Sequence, residues 1–504
     1  MNIEEVYPKY QDSEILPLSD LEVLENINEQ IRKKSMNNNY NNCLLIINIA
    51  IILFVFFLFI QFFIKNSDDL IESPLFQNGS IDHKNENYKV AILYSSLFGN
   101  GIARFMIVTG EYFIRKGYDV YFLTKPPYVK DFHFNAKIKR DFVYHNWTLI
   151  ENEIKNEKID FLIVNNVFDP GAIEKYKSFG VKVIGIFHGV YMSAMYNNST
   201  MFYRNWQYTD LLDAFIHVSA DDYYFFKHFG FKRNIFIPNL YTFEPSLTPS
   251  SNLTYNNIMM LGRLNDHKKG VIYAIKAMEI IIKEVPDAKL NLVSSDGRVQ
   301  YLKDLTEQLN LTNNINFIPY TENISTYFLN SSIFFFTSLT EAFPMALNEA
   351  KAHALPCVTF DVSYSIPFQS GVIQVEMFNH EALAREAIKL LKDYDYRKKM
   401  GMEAKLSLNK FNNDNTTELW SRLFYSLKKG EKEFQKLRNE VENKYYNEEI
   451  AEKHMEKQLE YLKIYNKFFR CHSLKNFIDL NYINNIEICQ NVSRRRRRRG
   501  RRIR

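Results

Sequence analysis

NIMMLGRLNDHKKGVIYAIKAMEIIIKE, residues 257–284, is the stretch from which the fold can be read. Its opening run, 257–262, is apolar, short and closed by a glycine, the length of one buried strand. A polar, basic loop follows, and from 269 to 284 apolar residues recur at helical spacing. Gly262 lets the chain turn at the strand's carboxyl end, Arg263 leaves from that end, and Lys269 is expected to open the helix. A strand apolar on both faces, followed by a helix that covers one of them, is half of a parallel βαβ step.

The same alternation continues in both directions. Downstream, strand-like runs fall at 289–293, 314–318, 332–337 and 357–360, with helix-like stretches at 298–309, 341–354 and 381–392. Upstream, apolar runs stand at 89–94, 119–124, 159–165, 182–187, 214–219 and 234–238. Residues 240–256 interrupt the pattern with Pro245, Pro249 and several serines, which reads as a linker. The expected architecture is α/β: two doubly wound, Rossmann-like domains, 88–239 and 257–427, facing across a cleft between the carboxyl ends of their strands.

Two blocks of the second half carry groups suited to an anionic, hydroxyl-rich ligand. Arg263 and Lys269 would bring a guanidinium fork and an ammonium to one place, a pairing that suits phosphate oxygens. In EAFPMALNEAKAHALPC, 341–357, Pro344 fits a first helical position, Glu341 then lies in the loop before the helix, and Glu349 lies about a turn and a half inside it. Both carboxylates can face the cleft. Each block also has an ordinary reading, a surface turn for one and an acidic helix start for the other.

Taken together, GR…KG, an apolar strand, and E-x7-E running into EAxAxxLPxV resemble the retaining glycosyltransferases of family 4 and the wider glycosyl transferases group 1 set, over roughly 88–427. The resemblance implies a GT-B fold and transfer of a sugar from a nucleotide-diphosphate sugar to a glycan, lipid or protein acceptor, with retention and without a metal or other cofactor. It implies that Arg263 and Lys269 hold the diphosphate, that Glu349 holds the ribose, and that Glu341 and the backbone around Phe343 hold the transferred sugar. GNGIARFMIVTGEYFIRKGYDVYFLT, 99–124, is similar to the family's opening glycine loop, helix and second strand, which puts the backbone of Gly99 and Gly101 near the donor phosphates or the acceptor. His188, in IGIFHGV, stands where the family often has a histidine near the transferred sugar, and Pro238-Asn239 matches its strand end before the linker. There are departures: the GR…KG spacing is one residue longer than usual, so Lys268 could replace Lys269; SSDG at 294–297 keeps one glycine; Ala342 stands where glycine is common. Two rival readings remain, a nucleotide-sugar epimerase or phosphorylase of the same fold, and a membrane-anchored, non-catalytic glycan-binding protein.

The ends of the chain add an address. Residues 43–64, CLLIINIAIILFVFFLFIQFFI, carry no charge and are expected to span a membrane once. Arg32, Lys33 and Lys34 before that run, and Lys65, Asp68, Asp69 and Glu72 after it, predict a cytosolic N-terminal segment, 1–42, and a catalytic part across the membrane beyond a polar stem, 65–87. About ten Asn-x-Ser/Thr sites, Asn78 and Asn252 among them, agree with a lumenal domain but are expected by chance in so asparagine-rich a chain. Residues 428–493 read as a charged helical extension outside the core, and the tail 494–504 as a disordered, self-repelling end, with attraction to anionic lipid or polyanionic glycan as the other reading. That tail holds nine arginines, and without them the formal charge of +5 becomes −4, so no specific nucleic acid is implied as a partner. The four cysteines make neither a disulfide framework nor a zinc pattern; a Cys471–Cys489 bridge stays open, and Cys357 reads as an inert core thiol. Asp393-Tyr394-Asp395 matches a metal-binding Asp-x-Asp in a charged helical setting and reads as a solvated helix face.

Overall fold

The computed structural model describes residues 87–94, 101–124, 137–139, 147–165, 170–190, 209–228, 231–294, 299–321, 323–362 and 370–445. Gly99, the run 43–64 with its flanks and stem, Cys43, Cys471, Cys489 and the arginine tail lie outside these residues. No helix among the described residues is long and apolar enough to cross a membrane.

Seven strands form the first sheet: β1 (Lys89–Leu93), β2 (Asp119–Leu123), β3 (Lys137–Lys139), β4 (Phe161–Asn165), β5 (Lys182–Phe187), β6 (Ala214–His217) and β7 (Asn234–Phe236). Their order is β3-β2-β1-β4-β5-β6-β7, and every pairing is parallel. Helices α1 (Gly101–Arg115), α2 (Trp147–Glu157), α3 (Pro170–Ser178) and α4 (Ala220–His228) connect them. The strands are apolar on both faces because helices cover both: Val90, Ala91 and Ile92 of β1 are fully buried.

The second sheet holds β8 (Asn257–Gly262), β9 (Lys289–Ser294), β10 (Ile315–Ile318), β11 (Ile333–Phe336), β12 (Cys357–Phe360) and β13 (Val372–Val375), in the order β10-β9-β8-β11-β12-β13, again all parallel. Its helices are α5 (Val271–Glu284), α6 (Gln300–Gln308), α7 (Ile324–Leu329), α8 (Met345–Ala352), α9 (His380–Lys392) and α10 (Tyr394–Ser407). Each sheet carries its own apolar core. In both, strand order reverses once, between β1 and β4 and between β8 and β11. The loops leaving two such neighbours diverge and open a crevice at the strands' carboxyl ends.

Two strands escaped the sequence reading, β3 and β13. Both are sheet edges, short and with polar positions, so neither shows the continuous apolar run of a buried strand. Local starts also differ. Lys269 does not open α5; it ends a 3-10 turn, His267–Lys269, and Gly270 follows in the left-handed region at φ 61° as the helix N-cap. Pro344 is likewise the N-cap of α8 and not its first residue, with extended ψ, so Glu349 sits about one turn in. Asp393 is not on a continuous helix face: it caps α10, its side chain accepting from the Tyr396 amide at 2.9 Å.

The chain then leaves the second core. Helix α11 (Asn413–Lys429) lays Trp420 and Phe424 on the first domain, with Phe424 stacked on Phe161 at 4.4 Å and Trp420 edge-on to Phe113 at 5.3 Å. The expected domain end at 427 therefore puts α11 with the wrong core. Gly430 breaks the helix at φ 111°, and α12 (Glu431–Tyr445) continues. The extension is not outside the core either: α12 buries Phe434, Leu437, Val441 and Tyr445, and Glu442 accepts from Tyr223 at 3.2 Å. A charged helix with an apolar stripe is amphipathic, and its stripe is satisfied by the first domain.

Candidate functional site

The loops leaving β8 and β11 are stitched together. Leu339 N–H donates to the Lys268 carbonyl at 2.7 Å, and the Thr337 hydroxyl to the Lys269 carbonyl at 2.9 Å. Contact is close enough that a Cβ on Gly270 would lie 2.2 Å from the Thr337 carbonyl oxygen. Only glycine fits there, on grounds of both space and positive φ. The stitch carries Lys269 to Glu341, and the ammonium donates to Glu341 Oε1. The lysine stem passes Gly262 at ordinary contact distance, its carbons 3.8 Å from where a Cβ would be.

Glu349 faces the other lobe. Its carboxylate is 1% exposed, and Oε1 accepts from Arg104 Nη1, on the first turn of α1, at 2.5 Å. Its second oxygen is covered and has no hydrogen-bond partner. The Arg104 guanidinium is held above its usual range, first by the Glu349 charge, against the opposing effect of burial. The starts of helices α1 and α8 lie close together: a Cβ on Gly101, the first residue of α1, would lie 3.9 Å from the side chain of Met345, the first of α8. Two positive helix ends therefore face one gap. Around it stand more covered polar atoms without partners: both side-chain polar atoms of Asn348, the Ser338 hydroxyl and the Asn239 side-chain oxygen. Buried polar groups are ordinarily satisfied, so these atoms offer donors and acceptors to a polar ligand or water.

His188 follows the carboxyl end of β5. Its ring meets Phe105, the neighbour of Arg104, edge-on at 4.8 Å, and its Nε2 is covered without a partner. Burial pushes its pKa down to about 3, so the ring is neutral near pH 7. Phe343 stacks on Tyr241 at 6.4 Å and pins the loop before α8 to the interdomain segment.

Among the residues singled out from sequence, Lys269 and Glu341 meet, Glu349 lies on α8 beside the gap, and Gly101 and His188 border it from the first domain. Arg263 does not join Lys269: its side chain is 59% exposed and paired with Asp266 at 2.9 Å. Lys268 takes part through its carbonyl. Arg104 went unnoticed. Its signal was a lone cation in the first turn of a helix, where the dipole disfavours it and a partner from elsewhere is needed. Asp266 was also missed. It shapes the basic loop, accepting from Arg263 through its side chain and from Lys269 N–H through its carbonyl at 2.8 Å.

Comparison with known proteins places this geometry. The family described as Glycosyl transferases group 1 matches residues 248–407. Over 218 residues, 42% of this chain, the sequence is 27% identical to a poly(glycerol-phosphate) alpha-glucosyltransferase of Bacillus subtilis, and over 135 residues it is 36% identical to an uncharacterized glycosyltransferase of Haemophilus influenzae. The chain spans 32% and 38% of the length of these two relatives. The fold is that of sucrose-phosphate synthase from Thermosynechococcus elongatus (TM-score 0.58, 16% identity, 68% of this chain and 99% of that one) and of Anabaena HepE in complex with UDP and glucose (TM-score 0.56, 14% identity, 67% and 100%). It is the GT-B architecture.

Proposed function

We propose that this chain, whose residues 248–407 belong to the glycosyl transferases group 1 family, moves a sugar from a nucleoside-diphosphate sugar to an acceptor hydroxyl with retention of configuration. The observation that carries the reading is the meeting of Lys269 with Glu341, in the loop ahead of the helix that holds the buried Glu349, on the two loops of the β8/β11 switch point.

Each group has a task in that reaction. Lys269, with Arg263 and Lys268 on the same loop, neutralises the charge that grows on the departing diphosphate, aided by the amino end of α8. Glu349, a carboxylate with an unused oxygen, accepts from the ribose hydroxyls. Glu341 and the backbone at Phe343 take the sugar hydroxyls, and neutral His188 and the α1 end at Gly101 border the sugar from the other lobe. The acceptor oxygen attacks the anomeric carbon on the face from which the phosphate oxygen departs. The new C–O bond forms as the old one breaks, and the acceptor's proton passes to the leaving phosphate oxygen. No carboxylate need form a covalent glycosyl ester, and the reading requires no metal ion.

The similarity to an alpha-glucosyltransferase supports retention, and the UDP and glucose in HepE make a UDP-hexose the first donor to test. The acceptor belongs to the classes glycan, lipid or protein. We further read residues 43–64 as a single membrane anchor with a cytosolic N-terminus, a reading that rests on the uncharged run and its flanking charges.

The test is incubation of the full chain with a panel of nucleotide sugars and acceptors, reading nucleoside diphosphate release and the anomeric configuration by NMR. A folded protein releasing no nucleoside diphosphate from any donor, or giving an inverted product, refutes the reading. Loss of release in Lys269→Ala and Glu341→Gln is expected.

A further inference from the structure

We propose that Arg104 is a donor-binding residue that holds Glu349 in this structure and turns to the donor's diphosphate once the ribose claims that carboxylate. The inference rests on the donor site proposed above and assigns the first domain a charged contact with the donor.

Four observations carry it. The positive end of α1 disfavours a cation in its first turn, so the helix itself gives no reason for an arginine there. The contact is single: Nη1 meets Oε1, while Oε2 has no partner, although a guanidinium fork and a carboxylate can pair through two parallel hydrogen bonds. The partners are unequally placed, with the carboxylate 1% exposed and the arginine side chain 32% exposed. The arginine can therefore leave, and the carboxylate cannot. Finally, the charges near the gap cancel in pairs: Lys269 with Glu341, Arg104 with Glu349, Arg263 with Asp266. A diphosphate brings more negative charge than Lys268, which stands outside these pairs on the same loop, can meet by itself. Ribose hydroxyls donating to Glu349 would take over the hydrogen bond that Arg104 supplies and release a fork suited to phosphate oxygens. Because Arg104 stands on α1 and Glu349 on α8, this exchange makes the donor a bridge between the lobes.

The experiment measures, on the full chain, the affinity for nucleosides and for their diphosphates: uridine and UDP, guanosine and GDP, adenosine and ADP. The readout is the factor by which the diphosphate tightens binding. In Arg104→Met that factor should fall about tenfold or more, the size of one lost charge-assisted hydrogen bond. Nucleoside affinity should hold or improve, because Glu349 is freed. Arg104→Lys, which keeps charge without the fork, should keep part of the factor; it also serves as the test if Arg104→Met has a collapsed thermal unfolding transition. An unchanged factor in the variants, or equal weakening of nucleoside and diphosphate, overturns the proposal and makes Arg104 a strut. If the wild-type chain binds none of the six probes, the donor-site reading itself falls, and this inference with it.

Discussion

Glu349→Gln separates a carboxylate that grips ribose from one that only ties two lobes together. The change keeps size and one acceptor oxygen but removes the charge. For stability, the ion pair becomes a hydrogen bond from a charged guanidinium to a neutral amide oxygen, which keeps the hydrogen bond and loses the attraction between the two charges. Arg104 is one-third exposed and can return to water, so the cost is small, about 1 kcal/mol, or about 2–4 °C in melting temperature. For donor binding, an amide can accept from one ribose hydroxyl but not from two as a carboxylate can. The loss of one charge-assisted hydrogen bond weakens the donor by about 10–150-fold. The assay is kcat/KM for nucleoside diphosphate release from a nucleotide sugar and from its 2′,3′-dideoxy analogue. The wild type should discriminate strongly against the analogue, and the variant should treat the two nearly alike. A variant that keeps the wild-type ratio while losing stability would refute the ribose role and leave Glu349 as an interdomain tie.

Three further outcomes are expected. Lys269→Ala should lower kcat by about 10²–10³-fold with little change in melting temperature, because the lysine is partly solvated and its work is on the leaving group; single-turnover kinetics read this directly. Gly270→Ala should cost about 2–5 kcal/mol in urea unfolding, since it combines a positive φ with a Cβ 2.2 Å from the Thr337 carbonyl oxygen. Acid should destabilise the fold early. His217 is fully buried, with Nε2 3.0 Å from Asn234 Oδ1, and burial pushes it down to about 3, as it does His188. Between that value and the unfolded pKa of about 6.5 the unfolded chain binds the extra proton. This stability is therefore full above pH 6.5 and is lost towards pH 3 at about 1.4 kcal/mol per pH unit for each histidine. Urea midpoints at pH 7, 5.5 and 4.5 check the slope, which His217→Gln should reduce.

Much of the fold was legible because a parallel strand covered on both faces must be apolar throughout, as KVAIL and IFFF are, and such runs leave few other readings. The carboxylates Glu341 and Glu349 were legible for a similar reason: their spacing across a helix start is a local fact. Two of the four edge strands, β3 and β13, were not, because solvent on one side relaxes the demand for apolar residues, and KIK then looks like loop. Nor were pairings across great sequence distance. Nothing local to Arg104 names a carboxylate 245 residues away, and nothing local to Trp420 says that it will pack on the first domain.

From sequence alone came the number of α/β halves, the sites of their strands and the residue types gathered at the strand ends, since burial and helical period act over a few neighbouring residues. Tertiary structure alone decided which charges meet: Lys269 with Glu341 through a loop stitch that only Gly270 permits, Arg104 with Glu349 across the gap, and Arg263 with its own loop. Ion pairs depend on distance in space, and the chain sets that distance only after both sheets and the returning helix have packed.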